Sequence, residues 1–342
     1  MIVLSNCLTR QSDEGCMNVA NNLVRRIKAL APGTTVVTYQ RRSPLSDVHL
    51  ELNKLLLSKD LMGLLRKKRE PVLYAPSLTR LLPAAVRIFI LSLFAKWGLQ
   101  VILAMQSEPG FLVRLLLKLS RAELVVLSQS AFEQYRALVG KRVRYLKVGV
   151  DLDRFCPVCP EEKLRLREAY HLPKDKPIVL HVGHLKAGRN ISCLADLDDR
   201  YHVVLVASTL TIPSRDAELR ALLESRENVT IFDAYCPDIQ QLYQLSDVYL
   251  FPVSRSGMCI DSPLSALEAA ACGLPVVTTP FGELAQLILC EGFYEITSFE
   301  KDRLQELLDL ALKEQKDTRK SVMKYDWNKA ACQLLENRRA HK

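Results

Sequence analysis

The chain has 342 residues, 49% of them apolar and 25% charged. That is enough to bury the cores of two domains of ordinary size, and it excludes a disordered or low-complexity protein. The net charge of +9 favours anionic partners such as sugar phosphates, nucleic acid or anionic lipid, and charge alone does not choose among them.

The chain opens "MIVLSN", an apolar strand, followed by the loop "CLTRQSDEGC" and an amphipathic helix, "MNVANNLVRRIKALAPG". "TTVVTYQ" is the next strand. The basic clusters Arg41-Arg42 and Arg66 to Glu70 read as solvated faces. Strand-like runs follow at "PVLYAPS", "LQVILAMQS" and "AELVVLSQS", each with a helical pattern behind it. The most apolar stretch, residues 81 to 99, is interrupted by Arg87 and Lys96 and falls short of the ~20 uncharged residues of a spanning helix. It reads as a core helix, with a membrane-surface face anchored by Trp97 as the alternative.

Residues around "KVGVDLDRFCPVCPEEKLR" have little periodicity and read as a linker, so two βαβ domains meet near residue 155. Cys156 and Cys159 have metal-like spacing, but no second ligand pair follows, and they read as part of the linker. The ten cysteines lie among apolar neighbours with no signal peptide, as expected of a cytoplasmic protein.

The second half continues with the strands "KPIVLHVGH", "YHVVLVAS", "NVTIF", "DVYLFPV" and "LPVVTTP", and closes on an amphipathic helix from about residue 326. Continuously apolar strands alternating with helices predict parallel sheets covered on both faces, an α/β fold. Ligands of such sheets bind beyond the carboxyl ends of the strands. The first strand lacks the G-x-G-x-x-G fingerprint, having only Gly15, which disfavours an oxidoreductase.

Two later loops are better candidates. In "GHLKAGRN", Gly183 and Gly188 allow close backbone approach, and Lys186 and Arg189 set two cations past a strand end, where a diphosphate fits. In "SRSGMCIDSPLSALEAAACG", Asp261-Ser262-Pro263 marks a helix start at the end of "DVYLFPV", an anion-binding position. Glu268 then lies in a run of small apolar residues. It either accepts from a ribose diol or pairs internally with backbone N–H groups or an arginine. Tyr235, after "NVTIFD", either stacks on a base or packs.

Together "VGVDLDRFCP", "VLHVGHLKAGRN", "QLYQLSDVYLFPV" and "LEAAACGLPVVTTPFGE" resemble the retaining, nucleotide-sugar-dependent glycosyltransferases of family 4, glycosyl transferases group 1. The resemblance is strong over residues 145 to 285 and weaker over residues 1 to 140. It implies the GT-B fold: two Rossmann-like domains facing each other across a cleft. Residues 1–154 would form the acceptor side, residues 155–325 the donor side, and residues 326–342 a helix packing back on the first domain.

The resemblance further implies that Glu268 is the second acid of an E-x7-E motif and holds the donor ribose. Arg189 stands where the family has a lysine that neutralises the diphosphate, and His184 where it has an arginine. Gly257, Met258 and Cys259 fall in the loop facing sugar and phosphate, and Gly15 matches a glycine loop before the first helix that borders pyrophosphate and acceptor. Three positions depart from the pattern: Ile260 replaces the first acid, with Asp261 one place along; His184 replaces the arginine; and Gln106 stands where a histidine is common.

The implied reaction moves a sugar from a UDP- or GDP-linked donor to an acceptor hydroxyl by same-face attack. Arg189, Lys186 and the helix start near Ser262 stabilise the leaving diphosphate. No metal, cofactor or nucleic-acid partner is implied. Glycans, small molecules and lipid-linked acceptors at the inner membrane face remain open. The competing readings are a silent relative that binds a nucleotide sugar or a partner, another GT-B enzyme such as an epimerase or phosphorylase, and an oxidoreductase.

Overall fold

The computed structural model describes residues 1–11, 14–77, 81–105, 107–207, 216–314 and 316–336. The chain divides into two compact units. Unit 1 comprises the described residues of Met1–Gly149, Ile260–Ser262 and Asp326–Lys342; unit 2 those of Val150–Cys259 and Pro263–Tyr325.

Unit 1 carries β1 (Ile2–Ser5), α1 (Gly15–Leu30), β2 (Thr35–Thr38), β3 (Val48–His49), α2 (Lys59–Lys68), β4 (Val72–Ala75) and α3 (Leu81–Phe94). It continues through β5 (Leu99–Leu103), α4 (Phe111–Leu119), β6 (Glu123–Val126), α5 (Gln129–Val139) and β7 (Val143–Tyr145). Its seven strands are ordered β3-β2-β1-β4-β5-β6-β7, and every pairing is parallel. Parallel strands need crossover connections, and the helices supplying them cover the sheet. Alternate strand residues, among them Leu4, Tyr74, Val101 and Val126, meet Leu61 and Leu65 of α2, Ile88 and Leu91 of α3, Leu117 of α4 and Tyr135 of α5. Each such side chain contributes roughly 1.5–3 kcal/mol by leaving water.

Unit 2 carries α6 (Pro160–Ala169), β8 (Ile178–Gly183), β9 (His202–Ala207), α7 (Ala217–Glu224), β10 (Val229–Phe232), α8 (Ile239–Gln244) and β11 (Val248–Phe251). It continues through α9 (Leu264–Ala271), β12 (Val276–Thr278), α10 (Leu284–Leu287), β13 (Phe293–Glu295), α11 (Lys301–Glu314) and α12 (Arg319–Val322). Its sheet, also wholly parallel, is ordered β10-β9-β8-β11-β12-β13. The strand order reverses between β1 and β4 in unit 1 and between β8 and β11 in unit 2. At such a reversal the two loops leave in opposite directions and open a crevice at the carboxyl ends.

The interior strands lie where the sequence predicts them. Three strands, β3, β7 and β13, carry no sequence signal; each is a two- or three-residue edge strand. An edge strand has one neighbour and shorter apolar runs, so its pattern fades into the surrounding loop. The apolar stretch 81–99 is α3 and the turn after it. Ala84, Ala85, Ile88 and Leu91 enter the core, whereas Leu93 and Trp97 are exposed. Among the described residues no helix is long and apolar enough to cross a membrane, and no group of three or more His, Cys, Asp or Glu is placed to hold a metal.

The last helix, α13 (Trp327–Glu336), packs on α1 inside unit 1. Gly149 makes that return possible. A Cβ there would sit 2.3 Å from the Trp327 backbone N and 2.5 Å from its Cγ. Backbone so close leaves no flexible neighbour to move aside. Gly149→Ala is expected to cost about 1–3 kcal/mol, read as a lower denaturation midpoint; an unchanged midpoint would remove Gly149 from this role.

Candidate functional site

The reversal of strand order in unit 2 brings together the loops that follow β8 and β11. Gly183 ends β8, and the chain then runs through His184, the exposed Lys186 and a 3₁₀ turn, Ala187–Arg189. The Arg189 side chain does not extend into solvent. It is almost fully buried, and its Nε (3.0 Å) and Nη2 (2.5 Å) both donate to the Met258 carbonyl. Asn190, in the left-handed region at φ 58°, donates to the Pro252 carbonyl (3.0 Å) and to Ser254 Oγ (2.9 Å). Two adjacent side chains of one loop thus fasten the other.

Met258 also packs on Gly188, where a Cβ would lie 3.1 Å from the Met258 Cε. Gly257 turns the second loop at φ +77°.

The remaining guanidinium nitrogen of Arg189 borders a second glycine. A Cβ on Gly183 would stand 2.9 Å from Arg189 Nη1 and 3.2 Å from His181 Nε2. His181 is fully buried on β8, and its Nδ1 lies 2.8 Å from the Leu250 carbonyl, an acceptor, so Nδ1 carries the hydrogen. Burial, reinforced by Arg189 and opposed by the bond to Leu250, pushes the imidazole pKa down to about 4. His181 is therefore neutral at pH 7, and Nε2 is an acceptor with no hydrogen-bond partner among the described residues. A donor and an acceptor flank the bare Gly183 Cα.

After β11 the chain enters α9. Its residues Leu264, Ala266, Leu267, Ala269, Ala270 and Ala271 are buried, leaving Ser265 and Glu268, one turn apart, as its partly exposed face. The small alanines allow close packing, so α9 is buried nearly all round. Tyr243 of α8 donates its hydroxyl to Glu268 Oε2 at 2.9 Å. The Tyr243 ring is tilted by 41° against Tyr249 (5.9 Å) and Tyr249 lies nearly parallel to His181 (6.4 Å), a run of aromatic contacts from α8 to β8. Arg154 adds a positive field; it is fixed by Gln240 Oε1 (2.9 Å) and the Pro237 carbonyl, over the Phe155 ring. Burial outweighs Tyr243 and Arg154, and the Glu268 pKa is raised to about 7.

The helix start differs from the expectation. Pro263, whose side chain makes no capping hydrogen bond, is the cap residue rather than Asp261 or Ser262. Asp261 and Ser262 belong to unit 1. Both are buried, the Asp261 N–H donates to the Ala104 carbonyl beyond β5 (2.8 Å), and Ser262 Oγ has no hydrogen-bond partner among the described residues. Gly15 is also in unit 1, as the first residue of α1 instead of a loop residue before it. The place of its absent side chain is taken by Ile260, whose Cδ1 would lie 2.8 Å from a Cβ.

The expected site residues therefore divide. Gly183, His184, Lys186, Arg189, Gly257, Met258, Cys259 and Glu268 belong to unit 2, whereas Gly15, Asp261 and Ser262 belong to unit 1. Tyr235 is partly exposed on the loop between β10 and α8, and Gln106 lies outside the described residues. Sequence reasoning passed over His181, Asn190, Tyr243 and Arg154, whose roles depend on partners far along the chain.

Residues 176–308, spanning this site from before β8 into α11, match the family model described as Glycosyl transferases group 1. Residues 176–308 are a glycosyl transferases group 1 domain. D-inositol 3-phosphate glycosyltransferase of Xylanimonas cellulosilytica is 28% identical over 163 residues, covering 43% of this chain and 37% of that protein. A GDP-mannose-dependent phosphatidylinositol monomannoside mannosyltransferase of Mycolicibacterium smegmatis is 30% identical over 158 residues, covering 43% and 41%. The chain thus spans about two fifths of the length of these curated relatives.

Solved structures match over nearly the whole chain. A glycosyltransferase of Rickettsia africae has a TM-score of 0.74 at 17% identity, covering 99% of this chain and 98% of that one. Anabaena HepE in complex with UDP has a TM-score of 0.73 at 15% identity, covering 98% of each. The glycosyl transferases group 1 domain is the second Rossmann-like domain of a GT-B fold.

The raised Glu268 pKa has a measurable consequence. The folded protein holds this proton to higher pH than the unfolded chain, so ligand-free stability falls as pH rises from about 4.5 to about 7. A shift of this size corresponds to about 3 kcal/mol at most. Glu268→Gln should flatten that part of the stability–pH profile, and Tyr243→Phe, which removes a bond that lowers the pKa, should carry the decline to higher pH. Identical profiles for all three proteins would show that Glu268 does not titrate there.

Proposed function

We propose that the chain is a glycosyltransferase that moves a sugar from a UDP- or GDP-linked donor to an acceptor hydroxyl with retention of configuration. The observation that carries this reading is Glu268, the one carboxylate on the partly exposed face of α9, the helix that follows the loop fastened by Arg189 and Asn190. Its Oε2 accepts from Tyr243, which leaves Oε1 and the remaining lone pairs as acceptors for a ribose diol. The UDP bound by Anabaena HepE, a protein of the same fold, supports a nucleotide as the ligand.

In this reading the diphosphate lies over the Gly183 to Asn190 loop. Lys186, exposed, reaches the phosphate as a mobile cation, and Arg189 presents Nη1 beside Gly183 while its other nitrogens keep Met258 in place. The leaving diphosphate gains negative charge as the bond to the anomeric carbon breaks. The fixed Arg189 guanidinium and the N–H groups at the start of α9 stabilise that charge without reorganising, and Lys186 adds a mobile charge. The acceptor attacks on the face the leaving group departs from, so the chain supplies no nucleophile. Lys186, Arg189 and Glu268 are the residues assigned to this work, with His184, Gly257, Met258 and Cys259 lining the donor.

Ile260 supports a second reading, a relative that binds the donor without transferring the sugar. It replaces the first family acid and is buried against Gly15. Thermal shifts with UDP, GDP, ADP and their common sugar conjugates, followed by radiolabelled transfer, separate the two. Transfer with one base class only is expected. Glu268→Ala should weaken the nucleotide by about 10- to 100-fold, the equivalent of one or two charged hydrogen bonds, while the ligand-free protein stays folded. Binding without transfer favours the silent relative, and no shift with any nucleotide overturns both readings.

A further inference from the structure

We propose that the outer face of α4, in unit 1, docks on an anionic lipid bilayer. This helix carries two apolar faces where a covering helix needs one. Val113 and Leu117 point into the core, whereas Phe111, Leu112, Leu115 and Leu119 are exposed, Phe111 by 83% and Leu119 by 59%. At about 100° per residue the four exposed side chains fall within one arc of about 100°, opposite the buried pair. Arg114 and Lys118, both exposed, adjoin that arc, and α4 contains no acidic residue. An apolar stripe edged by cations is the pattern of a helix lying in a membrane interface.

The neighbourhood extends the pattern. The adjacent α3 packs on α4, and its end exposes Leu93, Lys96 and, one turn past Leu93, Trp97. Indole rings favour the headgroup layer, apolar on one side and wet on the other. The end of α2, which packs on α3, exposes Arg66 to Arg69.

Charge complementarity decides the occupant. Residues 1–149 hold 23 Lys and Arg against 9 Asp and Glu, a net +14; with +9 for the whole chain, residues 150–342 carry −5. A face covered by a second copy of the same basic unit would bring like charges together. An anionic bilayer accepts the cations and the apolar stripe at once.

The test is cosedimentation with vesicles of phosphatidylcholine alone or containing about 30% phosphatidylglycerol, at about 0.1 M and 0.5 M salt, with no nucleotide present. Binding to the anionic vesicles at low salt is expected, with little on phosphatidylcholine. Serine at positions 111, 115 and 119 together (Phe111→Ser, Leu115→Ser, Leu119→Ser) should weaken binding at least about tenfold. Phe111→Asp alone should do much of the same. Leu289→Ser, at an equally exposed residue of unit 2, should leave binding unchanged.

Melting curves check that the variants fold. The proposal is overturned if the wild type ignores anionic vesicles or binds both compositions alike, or if folded variants bind as well as wild type. It is also overturned if analytical ultracentrifugation finds a dimer that the serine variant dissolves. Because no nucleotide enters the assay, its result stands apart from the glycosyltransferase reading.

Discussion

Parallel strands can be connected only by crossovers over the faces of the sheet, and this requirement organises everything else in the chain. It forces helices onto both faces, makes the interior strands predominantly apolar, and creates a point in each sheet where the strand order reverses. In unit 2 that point lies between β8 and β11. The Gly183–Asn190 loop and the Ser254–Cys259 loop are placed there by topology before any side chain acts. Side chains then fix the detail, as Arg189 and Asn190 tie one loop to carbonyls and a hydroxyl of the other. A helix that must bury itself nearly all round can present little to a ligand; α9 presents Ser265 and Glu268.

The chemistry of Glu268 follows from that confinement. A carboxylate on an otherwise alanine- and leucine-lined helix is poorly solvated, and its pKa rises to about 7 although Tyr243 and Arg154 favour the ionised form. The environment thus holds the group near neutrality and part-satisfied. In the proposed function a ribose diol supplies the donors that the protein withholds. His181 is the complementary case, a buried imidazole kept neutral with an acceptor nitrogen beside the Gly183 backbone. Neither group contributes to stability as a fully paired one would, a common feature of sites that reserve their interactions for a ligand.

Much of this was legible in the sequence because burial leaves a continuous mark. The runs that became β1, β4, β5, β8, β9 and β11 are predominantly apolar, with at most one polar residue each, and the loops after β8 and β11 carry the glycines and cations that a phosphate site needs. Glu268 stood out because a carboxylate is unexpected between Leu267 and Ala269. The edge strands β3, β7 and β13 left no comparable mark, being short and covered on one side only. Nothing local marks Tyr243, since its hydroxyl is used only when α9 folds beside it. Arg189 was legible as a cation but not as a clamp, because its carbonyl partner lies 69 positions away. Arg319 is similar: it donates to the Leu152, Phe155 and Ala271 carbonyls and so pins the linker to the end of α9, a role that no local pattern announces.

The central claim is that the Glu268 carboxylate grips the ribose hydroxyls of a nucleoside diphosphate. Calorimetric titration of UDP and of 2′,3′-dideoxy-UDP (or the GDP pair, where guanine is the preferred base) into the wild type and Glu268→Gln tests it as a double cycle. The account predicts that removing the diol weakens binding to the wild type by at least about tenfold and changes binding to Glu268→Gln little. Equal losses in both proteins would place the diol elsewhere and leave Glu268 with a structural part only.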